Sequence, residues 1–66
     1  MLLTINGEEK ELANNLSLAC IIKDLKIEDK VMAAALNMDI VKKNEWQTCK
    51  PKNGDKIELL QFVGGG

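Results

Sequence analysis

The group with the clearest chemistry in this sequence sits at its carboxyl end, where Val63 is followed by Gly64-Gly65-Gly66. Glycine has no Cβ, so a Gly-Gly thread is thin enough to lie extended in a narrow cleft. A chain end not tied into a fold stays disordered. The composition of this end predicts a flexible tail over 64–66 that enters another protein's active site, with Gly65 and Gly64 threading the cleft and Gly66 delivering its α-carboxylate. A free carboxylate is a poor acyl donor, and adenylation turns it into an electrophile. The competing reading of the same residues is an inert frayed end. The other candidates for chemistry are the thiols of Cys20 and Cys49. They form no CxxC and the chain contains no histidine, which excludes an ordinary zinc spacing. The missing histidine also removes the usual base for activating a thiol. A disulfide between them is disfavoured in a reducing cytoplasm. No residue is therefore expected to be catalytic, and no metal site is expected.

Composition excludes further classes. Sixty-six residues make one domain, and a chain of that size buries only about 60% of its unfolded surface. A core forms, with little volume left for an internal catalytic pocket. The 45% hydrophobic content argues against disorder, and a net charge of −1 argues against a large charged partner. All nine cations are lysines, so no arginine fork is available for phosphate or guanine. Phe62 and Trp46 are the only aromatics, too few for a base-stacking platform. Nucleic acid is not an expected partner. No apolar stretch approaches the ~20 residues that span a bilayer, and the N-terminus carries no signal-peptide pattern. The expectation is a cytoplasmic chain with no membrane partner.

The elements that must present the tail can be read in order. Leu3 and Ile5 alternate with Leu2 and Thr4 as a first strand, and Asn6-Gly7 is a strong hairpin signal. Lys10 to Ala13 reads as the return strand, with Leu12 on its buried side. Ser17 is a helix N-cap, and Leu16 before it staples onto Ile21. Leu18, Ile21, Ile22 and Leu25 fall at i, i+3, i+4 and i+7, one apolar stripe that leaves Cys20 on the exposed side. Val31 to Leu36 is a strand whose three alanines fit a central position close under the helix. Asn37-Met38-Asp39 turns the chain, with Asn37 tolerant of a left-handed conformation, and Ile40-Val41 returns. Lys42 to Gln47 is irregular or a single helical turn, with Trp46 closing one end of the core. Pro51, Asn53 and Gly54 form the next turn, and Lys56 to Val63 is the last strand.

In that last strand Ile57 and Leu59 fall on one face and Leu60 and Phe62 on the other. In a one-layer sheet capped by one helix the second face is exposed. Leu60, Phe62 and Val63 are therefore the expected docking patch for whatever handles the tail. The alternative is that Phe62 folds back onto the core or that these are scattered surface apolars.

The order strand, strand, helix, strand, short strand, strand fits a small α+β sheet with one helix across it. The stretch Ala34-Ala35-Leu36-Asn37, then Ile40-Val41, Glu45-Trp46, Asn53-Gly54-Asp55-Lys56-Ile57-Glu58 and Gln61-Phe62-Val63-Gly64-Gly65-Gly66 resembles the ThiS family, the bacterial sulfur carriers of thiamine biosynthesis. The resemblance spans the whole chain in length and element order. Its specific part is the C-terminal half. Met38 departs from it, standing where the family often has glycine after Leu-Asn.

The resemblance implies a β-grasp (ubiquitin-like) fold, with a mixed sheet of four to five strands and one main helix packed across one face. It implies a single domain over 1–63 followed by the tail 64–66. It also implies a carrier cycle in which the chain is a co-substrate and not an enzyme. An E1-like adenylyltransferase would use ATP and Mg to adenylate the Gly66 carboxylate, and the chain itself would bind no cofactor. Sulfur from a cysteine desulfurase would displace AMP to leave a thiocarboxylate, and thiazole synthase would take that sulfur into the thiazole of thiamine. The rival readings are the small subunit of molybdopterin synthase, with the same fold and thiocarboxylate chemistry, a ubiquitin-like protein modifier, and a non-covalent binding module with inert glycines. Short length favours the thiamine carrier over the molybdopterin one.

Overall fold

The computed structural model describes residues 1–61. The first strand, β1 (Leu2–Ile5), turns through Asn6 and Gly7, at φ +50° and +84°, into β2 (Glu8–Glu11). Two consecutive positive φ values match a type I′ turn, whose twist suits a two-residue hairpin. Because that turn uses only two residues, pairing begins at once, with Glu8 opposite Ile5 and Glu11 opposite Leu2. The return strand thus starts two residues before the expected Lys10. Leu12 follows it, half-buried against the core.

Helix α1 (Leu18–Asp24) begins where the sequence predicts. The Ser17 hydroxyl oxygen accepts from the Cys20 N–H at 3.1 Å. The two N–H groups before it are satisfied from a different loop, Leu18 by the Cys49 carbonyl at 2.7 Å and Ala19 by the Trp46 carbonyl at 2.9 Å. A helix start leaves its first N–H groups without helical partners, and here the loop that carries Trp46 closes over them. Trp46 is itself buried, its indole N–H donating to the Val41 carbonyl at 2.9 Å.

After α1 come β3 (Val31–Leu36) and β4 (Asp39–Val41), then a 3₁₀ turn at Lys43–Glu45 and the last strand, β5 (Lys56–Gln61). The sheet order is β2-β1-β5-β3-β4. β1 and β5 run parallel, and every other neighbouring pair is antiparallel. A mixed five-stranded sheet with one helix across one face is the β-grasp fold.

Two details differ from the sequence-based expectation. The central strand is β5 and not the alanine strand β3, because β1 and β5 pair directly and push β3 outward by one place. Only Ala34 of the three alanines faces the helix. Register places it beside Leu59 on the inner face, whereas Ala33 and Ala35 lie opposite Leu60 and Glu58 on the outer face. The inner face is the core: Leu3, Ile5, Ala34, Ile57 and Leu59 from the sheet meet Leu18, Ile21 and Ile22 from α1. Six of these side chains are under 2% exposed, which accounts for the fold of so short a chain.

Candidate functional site

The group expected to react follows β5 in the sequence, and that strand is the described element nearest to it. Of the residues expected to act, Leu60 lies within the described part of the chain. Gly66, Gly65 and Gly64, expected to react and to thread, lie outside the described residues, as do Phe62 and Val63 of the expected docking patch and the last two positions of the expected strand.

Alternation along β5 sends Ile57 and Leu59 into the core and Leu60 out, where it is 61% exposed. Register then decides its neighbours. Ala33 stands directly opposite Leu60, Ala35 opposite Glu58, and Ile40 of β4 opposite Ala35. The small side chains of β3 form the floor of a shallow groove of about 250 Å³, with Leu60 and Ile40 as its apolar walls and Glu58 beside them. Ile40 is 72% exposed, so the groove faces solvent with apolar surface on both sides. Such a patch can receive an apolar side chain from another protein.

Nothing in the sequence pattern marks Ala33, Ala35 and Ile40 as part of a docking surface. The alanines read as helix-facing, and Ile40 as an ordinary strand residue. Only the pairing of β3 with β5 gathers them around Leu60. Hydrophobic alternation within each strand carries no information about which strands are neighbours.

A second feature appears only in three dimensions. β5 is gripped from both sides by asparagine side chains. From the β1 side, the Asn6 carboxamide oxygen accepts from the Leu59 N–H at 2.8 Å, and its NH₂ donates to the Leu59 carbonyl at 3.3 Å. From the β3 side, the Asn37 oxygen accepts from the Lys56 N–H at 2.9 Å, and its NH₂ donates to the Asp55 carboxylate at 3.1 Å. That carboxylate also accepts from the Lys52 N–H at 2.8 Å, tying the preceding turn to the start of β5. Asn53 in the same turn accepts from the Leu2 N–H.

The cysteines lie elsewhere. Cys20 is exposed on α1, as its place off the apolar stripe predicts. Cys49 is half-buried, and burial, followed by the carboxylates of Asp55 and Glu45, pushes its thiol above the ordinary cysteine range. Each of these causes disfavours the thiolate, so Cys49 stays protonated, and a poor nucleophile, near neutral pH. Among the described residues no group of three histidine, cysteine or acidic side chains is placed to hold a metal ion. No helix among them is long and apolar enough to cross a membrane.

With the geometry in hand, comparison with known proteins gives consistent results. The model of the ThiS family matches residues 3–66. A thiazole synthase of Paramagnetospirillum magneticum is 32% identical over 66 residues, a match that takes in 100% of this chain and 20% of that protein. The chain thus spans about a fifth of the length of that relative. An uncharacterized protein ycf40 of Trieres chinensis is 31% identical over 62 residues, covering 94% of this chain and 85% of that one. Among solved structures, a crystal structure of a thiamine biosynthesis protein (ThiS) from Geobacter metallireducens superposes with a TM-score of 0.83 at 30% identity, covering 100% of both chains. A solution structure of a thiamine biosynthesis protein from the same organism gives 0.79 at 28% identity, covering 100% of this chain and 88% of the other.

Proposed function

The chain belongs to the ThiS family, and from that premise we propose that it is a sulfur carrier of thiamine biosynthesis whose working group is the α-carboxylate of Gly66. The observation that carries this reading is the family match over residues 3–66, which runs through the glycines at the chain's end. In the proposed cycle an E1-like adenylyltransferase, using ATP and Mg, joins AMP to the Gly66 carboxylate with release of pyrophosphate. Sulfur carried as a persulfide on a cysteine desulfurase then displaces AMP to give an acyl disulfide, and a thiol reductant cleaves its S–S bond, leaving the thiocarboxylate and a disulfide. The match to part of a thiazole synthase supports that enzyme as the recipient of the sulfur.

In this cycle the chain's own contribution is delivery. Gly65 and Gly64 give a narrow approach, since neither adds a Cβ to the thread. Leu60, with Ala33, Ala35 and Ile40, offers the apolar groove on which a partner seats while the tail enters its active site. Phe62 and Val63, next in the sequence, extend the proposed docking patch toward the tail. The chemistry resides in the partners, so the chain acts as a co-substrate and not as an enzyme.

The test is loading of the chain by its cognate adenylyltransferase with ATP and sulfide, read by intact mass with fragmentation to locate the change. The expected result is exchange of one oxygen for sulfur at Gly66. Deleting Gly66 should abolish loading and leave the thermal midpoint unchanged, because a terminal glycine contributes little to stability. A truncated chain that still loads at its new end and still supports thiamine synthesis overturns the assignment of Gly66.

A further inference from the structure

The parallel ladder between β1 and β5 is short, and the structure shows how it is prolonged. The Thr4 N–H donates to the Asp55 carbonyl at 3.1 Å, and the Asn6 N–H to the Ile57 carbonyl at 2.9 Å. Successive rungs of a parallel pair fall two residues apart on the same edge, so the next belongs at Leu59. No β1 backbone remains to supply it, because the chain has reversed through Asn6 and Gly7. The Asn6 side chain supplies that rung instead. Its carboxamide carries one carbonyl and one N–H donor pair, the same functions as a peptide group, and it engages both the N–H and the carbonyl of Leu59.

The opposite edge of β5 is weak at the same level. The β3–β5 pairing is regular from Leu36 to Ala33, then shifts register between Ala33 and Val31 before Val31 pairs with Gln61, an irregularity beside Leu60 and Gln61. The end of β5 therefore has an irregular partner on one side and Asn6 on the other. Asn37 makes a comparable pair of bonds, but at Lys56 and Asp55, where β5 begins.

We propose that Asn6 is a positioning residue for carrier loading: its carboxamide fixes the direction in which β5 leaves the sheet and so aims the residues that follow. This role rests on the carrier reading above. Without the clamp, the last peptide held on the β1 side drops back from Leu59 to Ile57, and the run to Gly66 counted from that side grows from seven residues to nine, while Val31 still pairs with Gln61 on the β3 side. Greater tether length alone lowers an effective concentration by only about 1.5-fold on a −3/2 power law. Any larger loss must come from direction, since a near-attack geometry tolerates little misplacement.

The experiment compares Asn6→Gly with Asn37→Gly. Glycine accepts the φ of +50° or +49° found at these positions, so each variant keeps its turn and loses its carboxamide. Amide hydrogen exchange in the free chain reads the clamp itself. Exchange at Leu59 should accelerate roughly tenfold in Asn6→Gly, the loss expected for removing about 1.4 kcal/mol of hydrogen bonding, and should stay slow in Asn37→Gly.

Pyrophosphate release by the cognate adenylyltransferase reads the positioning. At saturating chain, the kcat for Asn6→Gly should fall about threefold or more; Asn6 also lines the groove beside Leu60, so a change in KM reads docking and the fall in kcat reads positioning. Asn37→Gly, which loses a similar pair of bonds far from the exit, should keep its kcat. A merely structural role would move both variants alike. Should Asn6→Gly not fold, Asn6→Asp keeps the acceptor for the Leu59 N–H, loses the donor, and should shift in the same direction. Equal effects in the two glycine variants, or a fall in kcat under about 1.5-fold, overturn the positioning role. A wild-type chain that is not loaded at all overturns the carrier reading and the aiming role with it, whereas the exchange result at Leu59 would still stand.

Discussion

Two hairpins flank the central strand of this sheet, and they share a backbone while differing in what they give the protein. β1 and β2 join through Asn6-Gly7 at φ +50° and +84°, and β3 and β4 through Asn37-Met38 at +49° and +74°. In each the first turn residue is an asparagine that reaches sideways to grip β5. The first hairpin buries Leu3 and Ile5 under α1, so its apolar residues hold the fold together. The second sends Ile40 and Met38 into water, at 72% and 86% exposure. An apolar side chain left in water gains nothing from folding. The apolar residues of the first hairpin thus serve stability, whereas the second buries Val31 and Ala34 but also leaves apolar side chains exposed beside the groove at Leu60, the proposed docking surface.

The largest expected effect tests that division directly. Leu3→Ala removes a fully buried side chain from the middle of the core. It should cost about 3 kcal/mol, a large share of what so small a domain has. Ile40→Ala in the other hairpin should shift stability by no more than about 0.5 kcal/mol. Denaturant midpoints at constant m-value give both numbers. Ile40→Asp should remain folded and bind the adenylyltransferase at least about tenfold more weakly, having placed a charge in the wall of an apolar groove. Calorimetry that finds unchanged affinity would remove β4 from the docking surface.

How much of this was readable in the sequence follows from the range over which each signal acts. The Asn6-Gly7 turn, the Ser17 cap, the helix stripe and the limits of β3 are all local, and each lies where residue spacing puts it. Strand neighbours are not local. The alanines of β3 looked like the floor beneath a helix, but Ala33 and Ala35 form the floor of the outer groove because β5, arriving some twenty residues later in sequence, sits between β1 and β3. Leu60 was readable as exposed from alternation alone, whereas its companions Ala33, Ala35 and Ile40 were not. The asparagine clamps were hidden for a further reason. Both residues carry a complete local explanation as turn formers, and nothing in that explanation hints at a second role for the side chain.

A smaller effect sharpens the comparison of the turns themselves. An Ala-like Cβ at Gly7 would meet no atom within 4 Å, so Gly7→Met should carry only the conformational cost of its φ of +84°. That cost is about 1–2 kcal/mol for a residue with a Cβ. Part is returned because the variant chain is less free when unfolded, by about 0.4–1 kcal/mol. The net loss should be near 1 kcal/mol, or roughly 4–8 °C in thermal midpoint for a chain of this size. The sheet register, read from backbone chemical shifts, should not move. A loss of several kcal/mol would mean that Gly7 does more than permit a backbone conformation.

The smallest effect has the opposite sign and falls on the other turn. Met38 occupies, at φ +74°, the position that Gly7 fills in the first hairpin, and it is the place where the family resemblance leads one to expect glycine. Its side chain is almost wholly exposed, so removing it forfeits little buried apolar area. Met38→Gly should relieve about 1–2 kcal/mol of left-handed strain and give back about 0.4–1 kcal/mol to unfolded-state freedom. A net stabilisation of about 0.5–1 kcal/mol is therefore expected, a few degrees in melting temperature. Combined with Gly7→Met it should return the protein close to its starting stability, because the two turns sit in separate hairpins that meet β5 at different residues, Leu59 and Lys56, and changes at separate sites add. If Met38→Gly is instead destabilising, the exposed methionine has a packing role that its accessibility conceals. If it stabilises the fold but weakens partner binding, the strain at Met38 is retained because the side chain it displays belongs to the docking surface.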